Sequence, residues 1–280
     1  MAIHSNSSGG ALRWLVDDLP FGQVDRSRVI DDIDLFYFLT GASFIEITSD
    51  LYTRSLIEYY QGDQAVTDWL QDEWQPQELQ HGVALRRYVE AVWPEFDWAR
   101  AYADFYRAYA PLCRSDLLGP TRGLELAARC VVETGTATIY TMIRDLTDEP
   151  VLRRLTDLIR TDEVSHYSYF FRHFKRYRAD EGLGRVQVVR ALWGRVSEID
   201  DEDAWHAFHS VHHVAGHDND TETAYRAYRQ RVNERMRAYY PYGMAATMLL
   251  KPLALNPQLQ RLAVPVLSAG AKRLFRPAAH

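Results

Sequence analysis

The sequence predicts an all-α fold, and three observations predict it. Apolar residues recur at helical intervals of three and four along most of the chain, strand signals are scarce, and Gly and Pro punctuate the periodic stretches. With 280 residues, 47% of them apolar, the chain can bury a substantial core. No low-complexity or Pro/Ser-rich linker divides it, so one domain over residues 1–280 is expected.

The elements follow in order. A first helix is expected from about Asp31 to Tyr60, stopping near Gly62, with Leu35, Leu39, Ala42, Glu46, Ser49, Thr53 and Leu56 on one stripe. A second runs from about Asp63 to Val92, ends before Pro94 and is interrupted by Pro76; its stripe reads Leu70, Trp74, Glu78, His81, Leu85, Tyr88, Val92. EFDWARAYADFYRAYAPLC gives a third helix before the break at Gly119-Pro120. TRGLELAARCVVETGTATIYTMIRD gives a fourth, with Leu126, Cys130, Glu133, Ala137 and Tyr140 inward. Asp148 to Pro150 reads as a helix start. The fifth helix carries Leu152, Leu155, Ile159, Glu163, His166 and Phe170 inward and reaches about Arg178. Shorter helices are expected around 185–198, 201–214 and 220–239, and a less regular course over the last forty residues. Residues 31–178 thus form a core unit with a long crossover, and residues 185–280 a C-terminal helical extension.

Six ionisable side chains stand on these inward stripes. They come in the order Glu46, Glu78, His81, then Glu133, Glu163, His166: one Glu, then Glu-x-x-His, twice over. Glu and His three residues apart share a helical face and can reach one ion. Glu46 precedes Glu78 by 32 residues and Glu133 precedes Glu163 by 30, the length of chain that leaves the middle of one helix and climbs to the middle of the next at about 1.5 Å per residue. Four carboxylates in one core repel one another or take up protons. Cations resolve that conflict, and carboxylate oxygen with imidazole nitrogen suits iron or manganese better than thiolate-selected metals. One Glu from each of two helices and Glu-x-x-His from each of two others is how ferritin-like dimetal bundles are built.

Composition narrows the function further. A net charge of −6 with both signs mixed along the chain gives no cationic stripe for nucleic acid. Cys113 and Cys130 form neither a zinc spacing nor a disulfide framework, which fits a reducing cytoplasm. The N-terminus lacks the basic and apolar regions of an export signal. The apolar segment Met244 to Leu255, broken by Lys251 and Pro252, is too short to span a bilayer. The histidines between His206 and His217 fit a polar or pH-sensitive surface better than a second metal site. The basic run RHFKRYR, residues 172–178, reads as a solvated helix end, with docking of an acidic carrier or electron donor as the functional counterpart.

Over residues 31–178, most clearly at QELQHG and TDEVSHYSYF, the chain resembles the carboxylate di-iron proteins of the ferritin-like superfamily, and more narrowly the soluble acyl-carrier-protein desaturases. The resemblance implies a four-helix bundle with a long crossover and added C-terminal helices. It implies that Glu46 and Glu133 each bind mainly one iron, that Glu78 and Glu163 bridge, and that His81 and His166 cap opposite ends. Asp162 resembles the family aspartate that orients the histidine of the other half, here His81; Gln77 stands at the corresponding place before Glu78. Thr136 matches a threonine on the oxygen-binding side of the metals, although it can equally bond its own helix backbone. Leu85 occupies the place of the ribonucleotide reductase radical tyrosine, and Ile159 that of the extra histidine of arylamine N-oxygenases, so neither subgroup is favoured.

The resemblance therefore implies a non-haem di-iron oxidoreductase. It would use two iron ions, with manganese able to occupy one or both positions, and dioxygen to desaturate or hydroxylate an acyl or other apolar organic substrate, carrier-bound in the desaturases. A ferredoxin-like partner would supply electrons, and a homodimer suits the architecture. The alternative is a ferroxidase or an iron- or manganese-binding protein without an organic substrate.

Overall fold

The computed structural model describes residues 12–113, 118–198, 202–217 and 220–274, and among them the chain forms α-helices and no strand. The N-terminal stretch is a strap with three short turns of 3-10 helix, at Val16–Asp18, Phe21–Gln23 and Arg26–Arg28. It lies along a later helix through Phe21, whose ring sits under the Arg87 guanidinium at 5.0 Å, and Arg26, whose Nε donates to Val92 O.

Helix α1 (Ile33–Ile47) starts at the Asp32 cap, whose side chain accepts from Leu35 N, and α2 (Ser49–Tyr59) follows after a single residue. The sequence predicts one continuous helix here; it breaks at Thr48. The Thr48 hydroxyl lies 2.9 Å from the carbonyls of both Phe44 and Ile45, competing with the backbone ladder. The expected second helix is likewise compound: α3 (Gln64–Trp69), a π-helical turn at Leu70–Trp74, then α4 (Gln75–Val92). Pro76 stands at the start of α4, where its missing N–H and ring would disrupt a regular α ladder. The wider turn just before it absorbs the mismatch.

Helix α5 (Trp98–Tyr109) is capped by Asp97, and α6 (Arg122–Leu146) by Thr121. Helix α7 (Pro150–Asp180) is capped by Glu149, a buried carboxylate that accepts from Leu152 N at 2.7 Å and from the Tyr88 hydroxyl at 3.1 Å. Helices α8 (Arg185–Glu198), α9 (Glu202–Val214) and α10 (Thr221–Tyr239) match the expected spans within a residue. Residues 241–274, the described part of the last forty, do not run irregularly as expected. They form α11 (Tyr242–Leu250) and α12 (Pro257–Leu274), where Pro257 occupies a helix start and Pro265 is carried inside the helix.

Helices α1 and α4 run antiparallel: Phe36 packs 4.9 Å from Trp93 with the rings tilted at one end, and Gly82 meets Ile47 at the other. Helices α6 and α7 do the same, tied by Gly123 N to Glu181 at 3.1 Å and by Arg144 to Asp157 at 3.0 Å. Helix α9 lies on α1, with Phe208 stacked 4.4 Å from Tyr37; α8 lies on α6; Tyr167 of α7 donates to Met248 O of α11. The buried apolar residues fall into two clusters. One contains Leu39, Leu85, Tyr88, Leu155 and Ile159, the other Leu56, Leu70, Cys130, Phe170 and Phe174. Along α1–α2, α4 and α7, the ionisable positions lie between a residue of one cluster and a residue of the other. No helix among the described residues is long and apolar enough to cross a membrane.

Candidate metal centre

The seam between the two apolar clusters is filled by the six predicted side chains. Glu46 comes from the last turn of α1, Glu78 and His81 from the first two turns of α4, Glu133 from the middle of α6, and Glu163 and His166 from the middle of α7. His81 is fully buried, Glu46, Glu133, Glu163 and His166 nearly so, while the Glu78 side chain keeps 13% exposure. Gly82 allows the α1–α4 approach that sets Glu46 beside His81, since a Cβ there would lie 2.7 Å from Ile47 N.

His81 Nδ1 lies 3.2 Å from Glu163 Oε1 and 3.8 Å from Glu46 Oε2, and His166 Nδ1 lies 3.0 Å from Glu78 Oε1 and 3.5 Å from Glu133 Oε2. Two overlapping groups result: Glu46, Glu78, His81 and Glu163, and Glu78, Glu133, Glu163 and His166. In each, one donor atom per residue falls within 4.8 Å of all the others. Glu78 and Glu163 are common to both groups, the place the resemblance gives to bridging carboxylates.

Four atoms turned to this centre, Glu78 Oε1, His81 Nδ1, Glu163 Oε1 and His166 Nδ1, are buried without a hydrogen-bond partner. Unpartnered buried polar atoms are costly, and these four are lone-pair donors aimed at common points. The set could hold metal ions. Without them, burial and the neighbouring carboxylates push the carboxyls of Glu78 and Glu133 well up. Burial opposes the charges of Glu163 and His81, but contacts outweigh it: His81 and His166 hold Glu163 down at about 2, and Asp162, Glu163 and Glu46 hold His81 well up. Burial and the nearby His81 lower His166 to about 4. Cations would take the place of the protons this arrangement otherwise retains.

Behind the centre, each imidazole is fixed through its other nitrogen. His81 Nε2 lies 3.2 Å from Asp162 Oδ2, and His166 Nε2 lies 2.8 Å from Gln77 Oε1. With Nε2 carrying the proton, each Nδ1 is free to ligate. Asp162 therefore stands against His81, the histidine with which the resemblance pairs it. Burial works against its charge, but the hydrogen bonds from His81 and Trp14 hold its carboxyl low. The Thr136 hydroxyl bonds its own helix backbone at Glu133 O, 3.2 Å away, and also reaches Glu163 Oε2 at 2.5 Å.

Sequence reasoning missed four supports. Tyr140 donates to Glu46 Oε1 at 2.9 Å; its signal was its place on the Glu133 stripe. Gln77 stands before Glu78 as Asp162 stands before Glu163, but an amide there gave no signal that it would hold His166. Trp14 donates to Asp162 Oδ2 at 2.8 Å and lies parallel to the His81 ring at 6.1 Å, and Arg13 reaches Asp162 at 3.4 Å. These strap residues come from 148 and 149 positions away and carried no local signal.

Two other motifs find structural partners. The α9 histidines join no metal-competent group among the described residues; His212 Nδ1 pairs with the Tyr37 hydroxyl at 2.8 Å and His213 faces Asp104. In the 172–178 run, Arg176 pairs with Asp63, and Arg178 donates to Pro252 O. No family model matches the chain, and no curated protein matches it.

Proposed function

We propose that the cluster holds two divalent metal ions, iron first, in a ferritin-like four-helix bundle of α1, α4, α6 and α7, and that the chain is a di-iron oxidase or oxygenase. The observation that carries this reading is the pair of overlapping Glu/His groups with four buried, unpartnered donor atoms at their focus. Glu46, His81 and the shared Glu78 and Glu163 would hold one ion, and Glu133, His166 and the same shared pair the other. Bound iron would supply two-electron chemistry with dioxygen, strong enough for an unactivated C–H bond.

The chain's own residues do the rest. Asp162 and Gln77 orient the imidazoles, Tyr140 fixes Glu46, and the Thr136 hydroxyl stands where it can hand a proton to or from Glu163. The apolar clusters keep bulk water from the seam. Trp14, stacked on His81 and bonded to Asp162, links the buried ligands to the half-exposed Arg13, a route by which a ferredoxin-like donor could deliver electrons.

An organic substrate, an acyl chain first, is supported by space on α6. A Cβ at Gly135 would meet nothing within 4 Å, so packing does not explain a glycine that weakens the helix by about 1 kcal/mol. Further along, a cavity of about 150 Å³ has an apolar floor of Leu35, Phe38, Ile139, Met142 and Ile143. Anaerobic loading with Fe(II), then dioxygen and mass analysis of acyl thioesters, tests the reading. A product with a double bond or an added oxygen is expected. Rapid iron turnover with mineral and no altered thioester would make the protein a ferroxidase instead.

A further inference from the structure

Between the N-terminal half of α6 and α8 lies a cavity of about 450 Å³, lined by Arg129, Arg190, Arg195 and the acid Glu125. Arg129 is only 8% exposed. Its Nε donates to Glu125 Oε1 at 2.6 Å, and the other Glu125 oxygen accepts from Gly119 N at 2.7 Å. Glu125 is thus engaged on both oxygens. The terminal nitrogens of Arg129 make no hydrogen bond among the described residues, and Arg190 forms no ion pair among them. A guanidinium carries five N–H donors, so a nearly buried arginine here keeps most of its fork open toward an unfilled space. A planar or tetrahedral oxyanion, bound through two parallel N–H bonds, is the partner such a fork fits best.

The position gives this cavity its meaning. Arg129 precedes Glu133 by one helical turn, about 6 Å along the axis. Arg129, Val132, Thr136 and Ile139 are spaced three, four and three apart, so they share a face of α6. That face leads from the arginines, past the open space at Gly135 and the hydroxyl at Glu163, to the apolar cavity at Ile139. We propose that the α6–α8 cavity is the subsite for the anionic end of the substrate, a carboxylate or phosphate held by Arg129 with Arg190 beside it. The substrate is then an anionic amphiphile whose charged end is anchored one turn from the metal ligands. This rests on the reading of the centre as one that acts on an organic molecule.

Calorimetric titration of the full chain, metal-loaded and chelator-treated, with inorganic phosphate and with hexanoate tests the subsite. Saturable binding of at least one anion is expected, and the one preferred identifies the source of the charge. Affinity should fall about tenfold in Arg129→Lys, which still neutralises Glu125 but loses the fork, and about threefold in the exposed Arg190→Gln. Arg86→Gln on α4 should bind as the parent does. No saturable binding of either anion, or parental affinity in both Arg129→Lys and Arg190→Gln, would overturn the subsite. Elemental analysis of the same samples keeps the two readings apart. Metal uptake without anion binding sinks the subsite alone, whereas Arg129-dependent anion binding without metal uptake keeps an anion site but overturns both the metal centre and the site's role in holding its substrate.

Discussion

The two halves of the centre are built alike and tuned differently. Behind His81 stands Asp162, a carboxylate gripped in turn by Trp14 and Arg13; behind His166 stands Gln77, a neutral amide. The amide fixes the orientation of its imidazole, whereas the carboxylate also raises the basicity of the nitrogen that faces the ligands. Exposure separates them less: Glu78, which lies 3.0 Å from His166 but is common to both groups, keeps 13%, and Glu46, beside His81, keeps 7%. Two chemically identical motifs in the sequence thus create unequal positions, and the one formed by Glu46 and His81 should bind a cation more tightly.

The largest expected effect is on both halves together. Glu163→Gln removes a carboxylate common to the two groups, and metal per chain after loading, read by elemental analysis, should fall from about two to near none. Retention of both ions would place the centre elsewhere. Asp162→Asn separates the halves: competition titration should find the tighter position weakened about 10- to 100-fold and the other little changed. Gln77→Leu, the mirror experiment, leaves the outer His166 N–H unpaired and should weaken the looser position about tenfold. Equal losses from these two variants would erase the proposed inequality.

Gly82→Ala acts through packing, because the new methyl collides with Ile47. A destabilisation of about 1–3 kcal/mol in chemical denaturation is expected, with weaker metal binding only at the position that uses Glu46. Trp14→Phe keeps an aromatic ring of smaller size and drops the N–H, and should loosen the tighter position only about threefold.

How far these halves were legible in the sequence follows from the range of each interaction. All six side chains of the cluster were readable because a helix repeats its inward face every three to four residues, and a Glu or His on that stripe needs no knowledge of the partner helix. Asp162 was reached through the resemblance, since its place beside Glu163 fits an exposed acid equally well. The break at Thr48 was not, since a side-chain hydroxyl competing with the backbone leaves the apolar period intact. The π turn was visible only as a disruption at Pro76, because how a chain absorbs a missing N–H depends on what it packs against. Helices α11 and α12 were missed because Pro252, Pro257 and Pro265 look like breaks, although one of them starts a helix and another is carried within one. Trp14 and Arg13 depend wholly on tertiary structure.

That dependence has a consequence for the strap itself. Trp14 and Arg13 grip Asp162 from a segment that precedes every long helix, so order in that segment and cation occupancy are thermodynamically reciprocal. Whatever docks on the strap or pulls it away retunes His81, and a filled centre in turn fastens the strap.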